Sequence, residues 1–219
     1  HPANAPYYLS YFGAASPRHY GVTATDAFSF TGADSLMRPV IQLLPDCQAS
    51  EEDPKLKAFL QANPDYDARY FFSFKGADGR LGAAVIRAPQ SLRLGGGTYL
   101  ISASLTQPLF FRHILVTPAW NDELEKRYRE LERDIAPMLS DDLLERRRAL
   151  PRRGTASWQA LYAEYAEYRF MRFTFALREK TPVETINNAV LVYQLSDAEV
   201  SQMLQGPVPG ATREPVPAK

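Results

Sequence analysis

The densest chemistry-bearing stretch is a run of arginines, Arg146-Arg147-Arg148 followed by Arg152-Arg153. A guanidinium offers a planar fork of donors that matches phosphate oxygens. A cluster of this kind therefore suits a lipid-linked phosphate or anionic headgroups at a membrane surface. The same residues serve equally as compensation at a helix C-terminus, where cations oppose the negative end of the dipole. A second candidate is the run Tyr7 to Gly21, in which an aromatic strand leads through Gly13 and Pro17 to the polar-aromatic tip His19-Tyr20-Gly21. A loop leaving the carboxyl end of a strand is where open α/β sheets gather ligands. That makes Tyr11, His19 and Tyr20 candidate contacts, against the plainer reading of a core strand with a well-specified turn. A third is the row Trp158, Tyr162, Tyr165 and Tyr168, which fits a buried helix face, a sugar-stacking platform or a membrane boundary.

Other chemistry lacks support in the residue pattern. His1, His19 and His113 are far apart, with no i, i+4 pair and no cysteine partner, so no metal site is assigned. No G-x-S-x-G elbow occurs. The carboxylates alternate with bases along helix faces, the pattern of a solvated surface rather than of a catalytic pair. Gly95-Gly96-Gly97 precede a strand instead of following one, which excludes a phosphate-cradling loop and reads as a flexible connection. No catalytic residue and no cofactor is assigned to this chain.

Several elements position these residues. Tyr7–Phe12, Arg69–Lys75, Leu81–Ala88, Thr98–Ser104, Phe170–Leu177 and Ala189–Leu195 read as strands, and the glycine-containing link Gly76–Arg80 predicts a hairpin. Thr23–Thr31 reads as loop, and Leu36–Leu44 is either a short strand or a helical turn. Acidic residues ahead of Pro54, with Leu56, Phe59 and Leu60 in one stripe, predict a helix ending at Asn63-Pro64. Leu124, Tyr128, Leu131 and Ile135 recur at helical spacing over Asn121–Ile135. Ser140 opens a second helix, and Thr155 or Ser157 opens a third that becomes strand at Phe170. Together these predict an α/β fold: one mixed sheet with helices packed against it, a single soluble domain over residues 1–204, and a Pro-rich disordered tail over 205–219.

Composition bounds the function classes. Hydrophobic residues at 45% and aromatics at 12% suffice for a substantial core. Lys+Arg and Asp+Glu both number 25, so the chain carries no formal net charge, which argues against a nucleic-acid partner. Cys47 is alone, so no internal disulfide forms. No apolar run approaches the roughly 18–20 residues of a membrane span, and no signal peptide is evident. The first residue is His, so the chain reads as a processed or excised piece.

Tyr8-Leu9-Ser10-Tyr11-Phe12-Gly13, then Pro17, then Tyr20-Gly21 resembles a YLSYFG-x-x-x-P-x-x-YG motif. The motif follows the last membrane span of certain bacterial glycosyltransferases of the GT-C type. These polytopic enzymes are related to the protein O-mannosyltransferase and lipid A aminoarabinose transferase groups, and they use sugars carried on a polyprenyl phosphate. Two further blocks agree in order. Gly97 to Gln107 is similar to the family's G-x-YAISAT-x-LQG strand. Pro182, Ile186 and Val190-Leu191-Val192-Tyr193-Gln194-Leu195 resemble its closing P-x-x-x-IG-x-S-I-x-VY-x-I. Departures are Asn187 in place of the family's Gly, Ala189 in place of its Ser, and Thr106-Gln107-Pro108 in place of Leu-Gln-Gly. Residues 112–157 also exceed the usual connection.

The resemblance implies an extracytoplasmic C-terminal domain on the periplasmic side of the inner membrane. Its partners would be the transmembrane portion of the same parent, a lipid-linked sugar or acceptor, and the membrane surface. It also implies that the catalytic base, an acidic residue in the first extracytoplasmic loop, lies outside this chain. A free-standing periplasmic ligand-binding or sensor domain is the alternative, and an independent soluble enzyme a third.

Overall fold

The computed structural model describes residues 6–10, 25–26, 39–75, 79–106 and 119–209. In chain order the elements are β1 (Tyr7–Ser10), β2 (Thr25–Asp26), β3 (Ile41–Pro45), α1 (Pro54–Ala62), β4 (Tyr66–Lys75), β5 (Leu81–Arg87), β6 (Gly97–Ser102), α2 (Asp122–Ile135), α3 (Leu143–Ala149), α4 (Thr155–Leu177), β7 (Glu184–Ile186), β8 (Val190–Leu195) and α5 (Asp197–Gln205). The chain is α/β with a mixed sheet, as expected. It divides into two compact units, neither continuous in sequence. One comprises His1–Leu36, Leu94–Arg133 and Glu164–Lys219, and the other Met37–Arg93 and Asp134–Ala163.

The first unit carries a five-stranded sheet in the order β2-β1-β6-β8-β7. β1 runs parallel to β2 and β6, while β8 is antiparallel to both β6 and β7. Tyr8 lies opposite Tyr99, and Tyr99 opposite Tyr193. The Tyr8 and Tyr99 rings stack at 4.5 Å, and Tyr99 also meets Phe173 of α4 at 5.0 Å. Both hydroxyls close on one residue: Gly95 N–H donates to the Tyr8 hydroxyl at 3.1 Å, and the Tyr99 hydroxyl donates to the Gly95 carbonyl at 2.6 Å. The Gly96 N–H donates to Asp197 Oδ1 at 2.7 Å, and a Cβ at Gly96 would lie 2.7 Å from the Asp197 nitrogen. These glycines are therefore pinned for close approach rather than kept for flexibility.

In the same unit, buried Arg172 joins α4 to α2 and to the segment after α5. Its Nε donates to Glu125 Oε2 at 2.8 Å, and its other nitrogens donate to the carbonyls of Met203, Gly206 and Pro207. Trp120 Nε1 donates to the same Glu125 oxygen at 2.7 Å, and Arg129 holds the other oxygen at 2.8 Å. Burial works against a charged Glu125, yet the hydrogen bonds from Arg172 and Trp120 hold its carboxyl below the usual range.

The second unit holds an antiparallel sheet in the order β3-β5-β4. Its core includes Cys47, Leu56, Tyr66, Ala83 and Val85, with Phe59 and Phe71 packed beside it. Asp53 caps α1, accepting from Lys55 N at 2.8 Å and Leu56 N at 3.2 Å, with Pro54 at the first helical position. The expected hairpin is the β4–β5 pair, where Gly79 at φ +82° supplies the left-handed turn residue. Of its link, residues 76–78 lie outside the described set.

Several expectations are corrected or resolved. Among the described residues there are two sheets rather than one, because there β3, β5 and β4 pair only among themselves. Leu36–Leu44 resolves to strand β3 where it is described, and Thr25–Asp26, expected as loop, pairs with β1. Phe170–Leu177 is the end of the helix α4, not a strand. Phe170, Met171, Arg172, Phe173 and Thr174 are all buried, so the helical period is invisible in polarity, and Arg172 is apolar in position though not in kind. The expected tail starts too early: α5, whose capping box pairs Ser196 with Glu199, reaches Gln205, and the Gly206 and Pro207 carbonyls accept from Arg172. Of the expected tail, 210–219 lie outside the described residues.

Two outcomes follow for stability. Glu125→Gln leaves Arg172 buried without its counter-charge and is expected to cost about 3 kcal/mol in denaturant unfolding. Arg172→Met added to it is expected to cost less than the two single changes combined. Lys180, then the Ser196 N–H and hydroxyl, pull the Glu199 carboxyl down to about 2 from 4.5. A depressed folded-state value means stability that is present above pH 4.5 and lost as pH falls toward 2. Replacing Lys180 with Met is expected to flatten that acid limb in urea melts taken across the window.

Candidate functional site

β1 and β6 are parallel, so their carboxyl ends, Ser10 and Ser102, lie at the same end of the five-stranded sheet, and both serines are buried. Tyr11 follows Ser10 directly in the chain. Tyr11, His19 and Tyr20 themselves lie outside the described residues. Around this end the chain is held by backbone contacts. Ala103 N–H donates to the Ala189 carbonyl at 2.8 Å, and Arg178 Nε donates to the Thr106 carbonyl at 2.9 Å. The Arg178 guanidinium lies 4.0 Å from the Phe175 ring centroid, and burial lowers its pKa. Sequence reading did not single out Arg178; its position after a stretch mistaken for strand concealed it.

Between β7 and β8, Asn187 and Asn188 adopt φ of +50° and +54°. Two consecutive left-handed residues make the tight hairpin turn that Asn and Gly favour. Asn is among the residues that tolerate the left-handed backbone this turn demands.

The arginine cluster does not act as one. Arg146 is fully buried, donates to the Arg87 carbonyl and stands 3.6 Å from Asp67. Burial lowers its pKa, and the Asp67 charge opposes that fall. Asp67 is held ionised against its own burial by Arg69, whose Nε donates at 3.0 Å and whose Nη2 donates at 3.2 Å. Arg146 is thus a core strut and is removed from the candidate phosphate or membrane contacts, because a fully buried guanidinium does not reach a headgroup. Arg153 pairs with Asp134 at 3.0 Å and lies 5.6 Å from the Trp158 ring centroid. Arg147, Arg148 and Arg152 are exposed, and among the described residues none has a carboxylate at ion-pair distance.

The aromatic row is core. Trp158, Tyr162, Tyr165 and Tyr168 are all buried along α4, so a sugar-stacking role for them is overturned. In the first unit Tyr165 stacks on Tyr128 at 6.0 Å, with Arg172 at 5.8 Å from the Tyr128 ring centroid. In the second, Trp158 Nε1 donates to the Leu150 carbonyl at 3.3 Å. Cys47 is buried, and burial followed by its contact with Asp53 raises its pKa, which keeps the thiol protonated and unreactive. Among the described residues no group of three or more His, Cys, Asp or Glu could hold a metal ion. No helix among them is long and apolar enough to cross a membrane.

No family model, no curated protein and no solved structure significantly matches this chain.

The division of the arginine cluster is checked by mutation. Arg146→Gln is expected to destabilise by about 3 kcal/mol, because it empties a buried site beside Asp67. Arg147→Gln, on the exposed face of the same helix, is expected to stay within about 0.5 kcal/mol of wild type in denaturant melts.

Proposed function

We propose that this chain is the extracytoplasmic C-terminal domain of a bacterial membrane glycosyltransferase using a polyprenyl-phosphate-linked sugar. It is non-catalytic itself and shapes the acceptor site on the periplasmic side of the inner membrane. The observation that supports this reading is the arrangement of the three resembling blocks. Far apart in the chain, they supply β1, β6 and β8, three adjacent strands in continuous register through Tyr8, Tyr99 and Tyr193. Motif residues shared with a family are expected to meet in space when they describe one scaffold rather than chance likeness. The segment bearing Tyr11, His19 and Tyr20 follows the carboxyl end of β1 in the chain, the end at which α/β sheets receive ligands. The partners are the membrane-spanning part of the same parent and a lipid-linked sugar or its acceptor.

The test compares the isolated chain with its full-length parent, supplied with a polyprenyl-phosphate sugar and an acceptor. The isolated chain is expected to transfer nothing. In the parent, His19→Ala combined with Tyr20→Phe is expected to lower kcat/KM for the acceptor by roughly tenfold or more, with donor KM unchanged. Turnover by the isolated chain would overturn the assignment.

A further inference from the structure

The seven-residue helix α3 is amphipathic in an inverted sense: its outward face joins an apolar side chain to bare cations. Arg146 and Ala149 are buried and define its inner side. At about 100° per residue, Leu144, Arg147 and Arg148 fall on the opposite side. Leu144 is 60% exposed, one of few large apolar side chains so open to solvent among the described residues. Arg152, just beyond the helix, is exposed as well. The nearby acids are largely committed. Asp142 caps the helix by accepting from Leu144 N at 2.8 Å, and Asp141 pairs with Arg93 at 3.0 Å. Glu145 is exposed but lies to one side of the outward face. Arg147 and Arg148 therefore share the outward face with the exposed Leu144 and Arg152 follows in the next turn, three cations against the two nearby carboxylates of Asp142 and Glu145, which leaves the surface positive.

We propose that this face of α3 and the turn after it seats on an anionic lipid bilayer, with Leu144 entering the interface and Arg147, Arg148 and Arg152 contacting headgroup phosphates. A free phosphate would satisfy the arginines alone. The exposed leucine needs an apolar phase beside the phosphates, and a bilayer surface supplies both. Arginine stems can lie along the apolar boundary while their forks stay at headgroup level. The inference rests on the reading above only in placing this chain beside a membrane. It adds which surface faces the lipid, and it withdraws Arg146 and Arg153 from that role.

The whole 219-residue chain is tested by flotation at low ionic strength with phosphatidylcholine vesicles, alone or mixed with phosphatidylglycerol. Binding is expected only with the anionic lipid and is expected to weaken with salt. Converting Arg147, Arg148 and Arg152 together to Gln is expected to reduce affinity by on the order of a hundredfold. Leu144→Ser is expected to reduce it by roughly tenfold. The Leu144→Trp variant is expected to show a blue-shifted emission with anionic vesicles and none with inorganic phosphate. Circular dichroism verifies that each variant is folded. Absence of binding to anionic vesicles, unchanged binding by the triple variant, or an unshifted emission from vesicle-bound Leu144→Trp would each overturn the proposal. None of those results would touch the sugar-transfer comparison, which fails or succeeds on the parent enzyme alone.

Discussion

The stacking of Tyr8 on Tyr99 is the contact on which the first unit depends. A stacked aromatic pair contributes about 0.5–1.5 kcal/mol beyond the area it buries, but its larger effect here is on register. Both hydroxyls reach the same residue, Gly95, one as acceptor and one as donor. A slip of β1 by one residue would send Tyr8 to the other face of the sheet and break the pair and the hydrogen bond together. Tyr99 then carries the constraint inward to Phe173 on α4 and across to Tyr193 on β8. Burial pushes the Tyr99 hydroxyl far above its ordinary pKa, so it stays a neutral donor.

Charge is used structurally in both units, which a net charge of zero conceals. Arg172 in the first and Arg146 in the second are both fully buried, and each has a carboxylate and at least one backbone carbonyl within reach. The Arg172 fork serves several acceptors at once, whereas Arg146 hydrogen-bonds through Nη2 alone and leaves its buried Nε and Nη1 without a hydrogen-bond partner. The carboxylates are themselves held by further donors, Trp120 and Arg129 on Glu125 and Arg69 on Asp67. Buried ion pairs gain little net stability, but they tolerate few alternative arrangements, since any other packing strands a charge.

This division of labour bears on function. Among the described residues, the hydrogen bonds and aromatic contacts of the buried side chains fasten strands and helices to one another. The segment that carries Tyr11, His19 and Tyr20 follows β1 directly in the chain, and β1 is held in register by the Tyr8–Tyr99 pair.

Local patterns sufficed for much of the fold. Helix starts at Asp53-Pro54, the apolar stripe of α2 and the glycine-containing hairpin of β4 and β5 were legible because each depends on residues a few positions apart. The capping box at Ser196 and Glu199 was equally local and could have disclosed α5. What the order of residues could not disclose was set by partners remote in the chain. The end of α4 read as strand because its burial on every side is a property of its neighbours and leaves no polarity period behind. The arginine run read as one cationic patch because composition cannot tell which guanidinium has a buried Asp67 waiting for it. The sequence by itself determined the α/β class, the principal local turns and the positions of the segments that become β1, β6 and β8. Only tertiary structure decided that these segments are neighbouring strands, that there are two sheets among the described residues, and which arginines face water, because each is the outcome of long-range pairing and burial.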